Sequence, residues 1–459
     1  MTDRFGELRA REFGRLDAGG HAYLDYTGSG LYAESQLGRH MDVLRHEVLG
    51  NPHTESPTSL PATQRVQAAR EDILRFFDGD PAEYEVIFTP NATGALRIVG
   101  ESFPFQPGSR LLMTADNHNS VNGIRSFAGA KGAAVEYMPL NGELRAGPLE
   151  AYLGGTPAAP SLFAFPAQSN FSGVKHPLEW VELARAAGYR VVLDAAAYVP
   201  SNRLSLRQTP ADFVSVSFYK MFGYPTGVGA LIARKQALEE LHRPWFAGGT
   251  VRFVSAQNRE HLLKGVPEGF EDGTLDFLAI AAVPAGLELL RRVGMEAIGE
   301  HVMALAARLL EGFAALRHGN AAPLVRVYGP THTQRRGATV AFNVIDPQGD
   351  VVDYPAVEAA TAAACVSIRG GCFCNPGAAE FAFGYTAAES YHCFHTMTPA
   401  DFTLQQFSVC MQGLPVGAVR ASLGIASNAA DVDRLLEVLA SFRDRAAPPR
   451  PRLPRVVAG

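Results

Sequence analysis

The chain has 459 residues, 47% of them hydrophobic and 19% charged, with a formal net charge of −5. That length exceeds one ordinary hydrophobic core and predicts two or three structural units. An acidic balance with no basic cluster before the last residues argues against nucleic acid or a membrane as partner, and no stretch reaches the ~20 apolar residues of a membrane span.

In chain order, residues 22–26 read as a short strand, the one element predicted within 1–35, ahead of the turn Thr27-Gly28-Ser29-Gly30. Helices are predicted over 33–49 and, from apolar spacing, over 63–77. A long alternation follows, with strands predicted at 85–89, 110–116, 135–140, 162–168, 190–195, 213–218 and 228–233. Helix-like segments such as 177–187 separate most of them. Several of these strands are continuous apolar runs, as expected where both faces are covered. The pattern predicts an α/β unit with a mostly parallel sheet.

From about residue 279 the order changes. Helices at 279–293 and 295–316 precede strands at 324–328 and 339–344, a helix over 352–364 and a strand at 366–369. A loop-rich stretch then runs to about 415, before a strand at 418–423 and a last helix over 430–442. The predicted organisation is a large domain, 36–278, and a smaller α+β domain built from 1–35 and 279–445. The Pro/Arg-rich tail, 446–459, suits neither helix nor central strand.

In an open α/β sheet, ligands bind outside the carboxyl ends of the strands, and here those ends carry chemistry. After the first comes Thr89-Pro90-Asn91-Ala92-Thr93-Gly94, where helix amides and the Thr93 hydroxyl suit a phosphate and where Asn91 or Thr93 equally suits an ordinary N-cap. After the second comes Asp116-Asn117-His118-Asn119-Ser120, with an imidazole free to stack. Asp194 follows an apolar strand with no cation near it in sequence; its burial calls for a cationic partner such as a protonated pyridine, unless it caps a helix. Lys220 follows the run 213–218 and is itself followed by Gly223, Pro225 and Gly227. An amine in an apolar setting loses its charge more readily and can attack a carbonyl. Lysine for an aldehyde, aspartate for a pyridinium and hydroxyls for a phosphate together are the needs of pyridoxal 5′-phosphate.

Four stretches carry a resemblance to a known family: Phe165-Pro166-Ala167-Gln168-Ser169-Asn170-Phe171-Ser172-Gly173, Ser217-Phe218-Tyr219-Lys220-Met221-Phe222-Gly223, Arg369-Gly370-Gly371-Cys372-Phe373-Cys374-Asn375-Pro376-Gly377, and Gly417-Ala418-Val419-Arg420-Ala421-Ser422. They are similar to fold type I pyridoxal-phosphate enzymes of the class V aminotransferase and cysteine desulfurase group, above all to the amino-terminal domain of molybdenum cofactor sulfurases. The resemblance implies a large domain with a seven-stranded, mostly parallel sheet between helices, plus the smaller α+β domain. It implies that Lys220 bonds the cofactor aldehyde, Asp194 pairs with its pyridinium, His118 stacks on its ring with a part in catalysis, Thr93 and Ser217 serve its phosphate, and Gly94 is a further cofactor contact. Asn170 and Tyr219 are implied as further cofactor contacts. Thr250 would reach the phosphate of a neighbouring subunit, which implies a homodimer. Two departures stand out: Tyr219 where many relatives have histidine, and Ala197 where they often have a glutamine that meets the ring hydroxyl. Cofactor orientation is then expected to rest more on Asn170.

Cys374 lies in a glycine-rich, bendable loop, and Arg369 nearby could favour its thiolate. The resemblance makes it the nucleophile that takes sulfur, with Cys372 as a lesser candidate that could pair or relay with it. Arg420 suits a bidentate grip on a substrate carboxylate, and the resemblance assigns it that part; Arg369 and Asn170 are grouped with it as substrate contacts. The excursion from Cys374 to Arg420 is long, as a lid or partner surface would be. Five cysteines at uneven spacing predict no disulfide framework and a reducing, cytoplasmic setting, and the charged first residues predict no signal peptide. Cys372, Cys374, His392 and Cys393 lack a zinc spacing, so no metal is expected. The expected activity is desulfuration of L-cysteine or a related amino acid, with a sulfur-acceptor protein or cofactor downstream. The alternatives are a carbon–sulfur lyase, racemase or aminotransferase on another amino acid, and a non-catalytic cofactor-binding scaffold.

Overall fold

The computed structural model describes residues 4–447 apart from 53, 399–402 and 412. Seven strands form the large sheet: β1 (Tyr84–Thr89), β2 (Arg110–Thr114), β3 (Ala134–Met138), β4 (Ser161–Pro166), β5 (Tyr189–Asp194), β6 (Phe213–Ser217) and β7 (Gly229–Arg234). Their order is β1-β7-β6-β5-β4-β2-β3. Only β7 runs against its neighbours, β1 and β6. The carboxyl ends of β1, β2, β4, β5 and β6 therefore emerge along one edge.

Alternate residues of each strand point to opposite faces, and both faces are buried. Ile87, Leu111, Met113, Leu162, Ala164, Val192, Phe213 and Leu231 pack on one side with helix Ala92–Ser102. Val86, Leu112, Phe163, Phe165, Val191, Leu193, Val214 and Ile232 pack on the other. This double cover is why the strands read as unbroken apolar runs.

A second sheet of four strands, β8 (Val325–Tyr328), β9 (Thr339–Val344), β10 (Arg369–Gly371) and β11 (Ala418–Ser422), has the order β8-β9-β11-β10 with every pair antiparallel. The strand predicted at 366–369 is divided. Val366–Ser367 pairs in parallel with Ala22–Tyr23, and Arg369 begins β10. Asp25, just past Ala22–Tyr23, bridges Ser422 of β11.

Three expectations are corrected. Residues 1–35 hold more than one strand, because helix Arg4–Phe13 precedes it. Arg9 and Glu12 occupy its buried face, Arg9 with a 2.6 Å ion pair to Asp431, and so interrupt the apolar period. The loop-rich stretch to 415 contains helices Pro376–Phe383, Ala387–Thr396 and Leu404–Cys410, started by side-chain caps from Asn375, Thr386 and Thr403. Third, Cys393 and Cys410 are joined in a disulfide, while Cys365, Cys372 and Cys374 are free thiols.

That bond has a physical reason. The lobe it closes has a local core of only Cys393, Phe407 and Met411 as buried residues, and so small a core needs a staple. The cysteines are 17 positions apart, a loop for which closure contributes about 3 kcal/mol. Reduction is therefore expected to speed protease cleavage within 376–411 on the order of 100-fold, with the two sheets left intact. Mass mapping of timed digests with and without reductant checks this. Of the tail, only Ala446 and Ala447 fall within the described residues, and the Ala447 amide donates to Asp346. No described helix is long and apolar enough to cross a membrane.

Candidate active site

Strand β6 ends at Ser217, and Lys220 stands on the single helical turn Phe218–Phe222 rather than at the strand end itself. The turn closes at Gly223, whose φ is 77° and where a Cβ would lie 2.3 Å from the backbone of Leu31 and Tyr32. Only glycine meets both demands. The approach brings the Thr27–Gly30 turn under Lys220, with the Gly30 amide donating to the Tyr219 carbonyl at 2.9 Å. Lys220 is half-buried and opens onto a cavity. Burial holds its ammonium below the usual lysine range, with Asp194 opposing that effect and Arg420 adding to it.

A cavity of about 120 Å³ lies beyond the carboxyl ends of β1, β2, β4, β5 and β6, and Lys220 forms part of its wall. Thr93, His118, Asn170, Asp194, Ser217 and Tyr219 line it too. Gly94 does not, and its amide donates to Asn91, the N-cap of helix Ala92–Ser102. The Thr93 hydroxyl meets that of Ser120 at 2.7 Å. Ser217 Oγ accepts from the Ala92 amide at 2.8 Å, which leaves its own proton for a ligand.

Asp194 accepts from the Ala196 amide at 3.1 Å and the Ser215 hydroxyl at 3.0 Å, and has no ion-pair partner among the described residues. A carboxylate so placed is costly without a cation. His118 Nδ1 accepts from the Ser120 amide at 3.1 Å. Burial, then the Lys220 charge, hold its imidazole below the ordinary histidine range, with Asp194 opposing. The ring is therefore neutral near pH 7, a flat face on the cavity wall.

Asn170 is committed elsewhere. Its amide donates to the Phe373 carbonyl at 2.7 Å and its oxygen accepts from Asn375 at 2.9 Å. Asn375 also donates to the Asp116 carbonyl at 2.7 Å, and the Asn119 amide donates to the Cys374 carbonyl at 2.7 Å. These bonds dock the cysteine loop onto the loops that carry His118 and Asn170. Gln168 is the amide that sequence reasoning passed over. It lines the cavity beside Ala197 and donates to the Ala197 carbonyl at 3.0 Å; its presence in the quoted stretch Phe165–Gly173 was the available signal.

Cys374 is exposed, in a left-handed conformation at φ 54°. Its thiol is near enough to act electrostatically on Lys220, Arg369 and Arg420. Cys372 differs. It donates to the Val416 carbonyl at 3.0 Å, and burial, with smaller contributions from Cys374 and Glu380, pushes its thiol up to about 11. Arg420 is buried on β11, donates to the Asn170 carbonyl at 2.9 Å and lies over the Phe373 ring at 4.8 Å. Arg369 is drawn to Asp25, at 2.6 Å, rather than reserved for the thiol. Thr250 does not enter the cavity of its own chain. Its hydroxyl turns back to Ala247, to the carbonyl at 2.8 Å and the amide at 2.9 Å.

Pyridoxal phosphate fits this residue set. Hydroxyls of Thr93, Ser120 and Ser217 at a helix start would take a phosphate, the unpaired Asp194 would take a pyridinium, His118 offers a neutral stacking face, and Lys220 offers an amine.

Residues 22–435 match the Aminotransferase class-V family. The chain is 36% identical to the molybdenum cofactor sulfurase of Bos taurus over 95% of its length and 35% identical to that of Arabidopsis thaliana over 97%. It spans 52% and 58% of those proteins' own length. Among solved structures, the apo cysteine desulfurase of Thermococcus onnurineus NA1 superposes with a TM-score of 0.79 at 23% identity, over 95% of this chain and 97% of that one.

Proposed function

The chain belongs to the class V aminotransferase family, and from that premise we propose that it is a pyridoxal-phosphate-dependent L-cysteine desulfurase that forms a persulfide on Cys374. The observation that carries the reading is the exposed Cys374 thiol held within electrostatic reach of both the Lys220 amine on the cavity wall and the Arg420 guanidinium. Bound in the cavity, the cofactor would supply an electron sink for the α-carbon of an amino acid.

The residues would then divide the work. Thr93, Ser120 and Ser217 would hold the phosphate, Asp194 would pair with the ring nitrogen, His118 would offer a stacking face, and Gln168 would be the side-chain amide available on the wall beside Ala197. Arg420 grips the substrate carboxylate, which orients the α-proton toward Lys220. Lys220 Nζ, whose proton affinity burial lowers, takes that proton. Cys374 Sγ attacks the substrate sulfur: the substrate Cβ–S bond breaks and an S–S bond forms. The thiol's proton ends on alanine, so L-cysteine and a thiol become L-alanine and a persulfide. The sulfur then passes to an acceptor protein or cofactor.

The reading includes a division into 36–278, which carries Lys220, and 1–35 with 279–445, which carries Cys374 and Arg420. It includes a homodimer in which Thr250 serves the partner's phosphate, supported by exposed Trp245, Phe246, Phe253, Val254 and Leu262 around it. We place the chemistry in the cytoplasm, in keeping with three free thiols in one chain. A reducing compartment would hold Cys393 and Cys410 as thiols, and mass mapping of protein alkylated at cell lysis reads that directly.

The deciding experiment incubates reconstituted protein with L-cysteine and measures alanine, pyruvate and sulfide together. Alanine with no pyruvate is expected. Pyruvate and ammonia instead would make the protein a carbon–sulfur lyase, and a keto-acid requirement would make it an aminotransferase. No product in spite of absorbance from bound cofactor would leave a non-catalytic scaffold.

A further inference from the structure

The antiparallel register of β10 and β11 sets Arg369 directly opposite Arg420. Like charges at such a pair repel and destabilise a sheet. Asp25 answers them both. It arrives beside β11 through its bridge to Ser422. Its carboxylate accepts from Arg369 Nε at 3.0 Å and Nη2 at 2.6 Å, and from Arg420 Nη2 at 3.0 Å. Gly28 makes room for this arrangement, since a Cβ there would lie 2.5 Å from the Asp25 carboxylate and 2.7 Å from Arg369.

The cluster is not balanced. Two guanidinium groups against one carboxylate leave one positive charge, and the Arg420 side chain is only 3% exposed. Arg420 Nη1 is used by the Asn170 carbonyl and Nη2 by Asp25, while the buried Nε has no acceptor among the described residues. A buried donor left open costs free energy until an acceptor arrives. One further anion, presented to the Nε side of the Asp25-anchored guanidinium, satisfies both the charge and the donor.

We propose that Asp25 is the positioning residue of a two-arginine site for a single substrate carboxylate, and so the source of discrimination between α-amino acids and amines that lack the carboxylate. This rests on the reading of Arg420 as the carboxylate grip. Asp25 is not part of the cavity wall. It acts by holding two mutually repelling guanidinium groups in the register the sheet imposes. Without it, the half-exposed Arg369 turns to solvent and Arg420 loses its fixed orientation.

The test needs no turnover. Iodoacetate and iodoacetamide alkylate the same thiol and differ by a carboxylate, so their rate ratio at Cys374 reports the grip of the site in protein without cofactor. Peptide mapping separates Cys374 from Cys365, an exposed thiol that serves as the internal reference. The iodoacetate preference at Cys374 is expected to exceed that at Cys365 by about tenfold. Asp25→Asn is expected to bring it within about twofold of the reference, and Asp25→Glu, which keeps the charge, to retain most of it. Asp25→Ser gives the same readout should the asparagine variant not fold. With substrate, the asparagine variant should raise KM for L-cysteine about tenfold, change kcat little, and leave inhibition by cysteamine unmoved. If Arg420→Gln leaves the alkylation ratio unchanged, the carboxylate reading of Arg420 falls. If Arg420→Gln lowers the ratio and Asp25→Asn does not, only the role of Asp25 falls; a KM that drops in Asp25→Asn would make Asp25 a competitor of the substrate and overturn the proposal.

Discussion

Lys220→Ala is expected to abolish turnover of L-cysteine, by about 10⁴-fold or more, because it removes both the amine that joins the cofactor and the base at the α-carbon. Absorbance after reconstitution should shift together with the loss, since cofactor would be held by its phosphate and ring contacts alone. Alanine formation within tenfold of the parent would sink the assignment. The same burial that makes Lys220 reactive has a cost in stability, and its sign is fixed. Burial lowers the folded-state pKa below the 10.5 of a free lysine, so the unfolded chain binds the proton more readily. Stability then rises with pH up to that value. A Lys220→Met variant, which replaces the amine with an apolar chain of similar length, should be more stable than the parent at pH 7. The gap should narrow as the pH approaches 10.5. Urea midpoints of the two proteins without cofactor, measured at pH 7 and pH 10, check both statements.

Cys374→Ser is expected to reduce alanine release by about 10³-fold or more, with cofactor absorbance and binding preserved. Cys374 is an exposed thiol within electrostatic reach of Lys220 and Arg420, and a hydroxyl cannot form the persulfide. The neighbouring Cys372→Ser change is expected to be nearly silent. Its thiol, pushed up to about 11 and bonded to the Val416 carbonyl, is only about one part in a thousand thiolate at pH 8. Labelling the protein sulfur after one turnover, with mass mapping of the 369–377 peptide, separates the two positions. Full-rate alanine from Cys374→Ser would remove the persulfide step, and a label on Cys372 would exchange the parts of the two cysteines.

Much of this arrangement was legible before folding was considered. The unbroken apolar runs announced strands covered on both faces, and each run ended in residues whose chemistry made sense together. That is why the strands of the large sheet, the positions of Lys220, Asp194 and His118 beyond its strands, and a smaller α+β domain could be read from local pattern, while the antiparallel order of the second sheet could not. Where charged side chains faced inward, as Arg9 and Glu12 do, the pattern failed and helix Arg4–Phe13 was missed. The 376–411 lobe was missed for a related reason. Its helices are set by caps and by a disulfide, and neither leaves an apolar period.

By itself the sequence singled out Lys220, Asp194, His118 and Thr93 as candidates for the chemistry, because strand ends and glycine turns are local features with local causes. The tertiary structure decided how those residues are used. It tied the Asn170 amide to the cysteine loop, gave Asn91 the helix cap, and separated a half-buried Cys372 from an exposed Cys374. It also brought Asp25 to Arg369 and Arg420, which lie more than 300 positions further along the chain. The physical reason is that burial, desolvation and charge pairing belong to neighbours in space, and strand register, not sequence distance, chooses those neighbours.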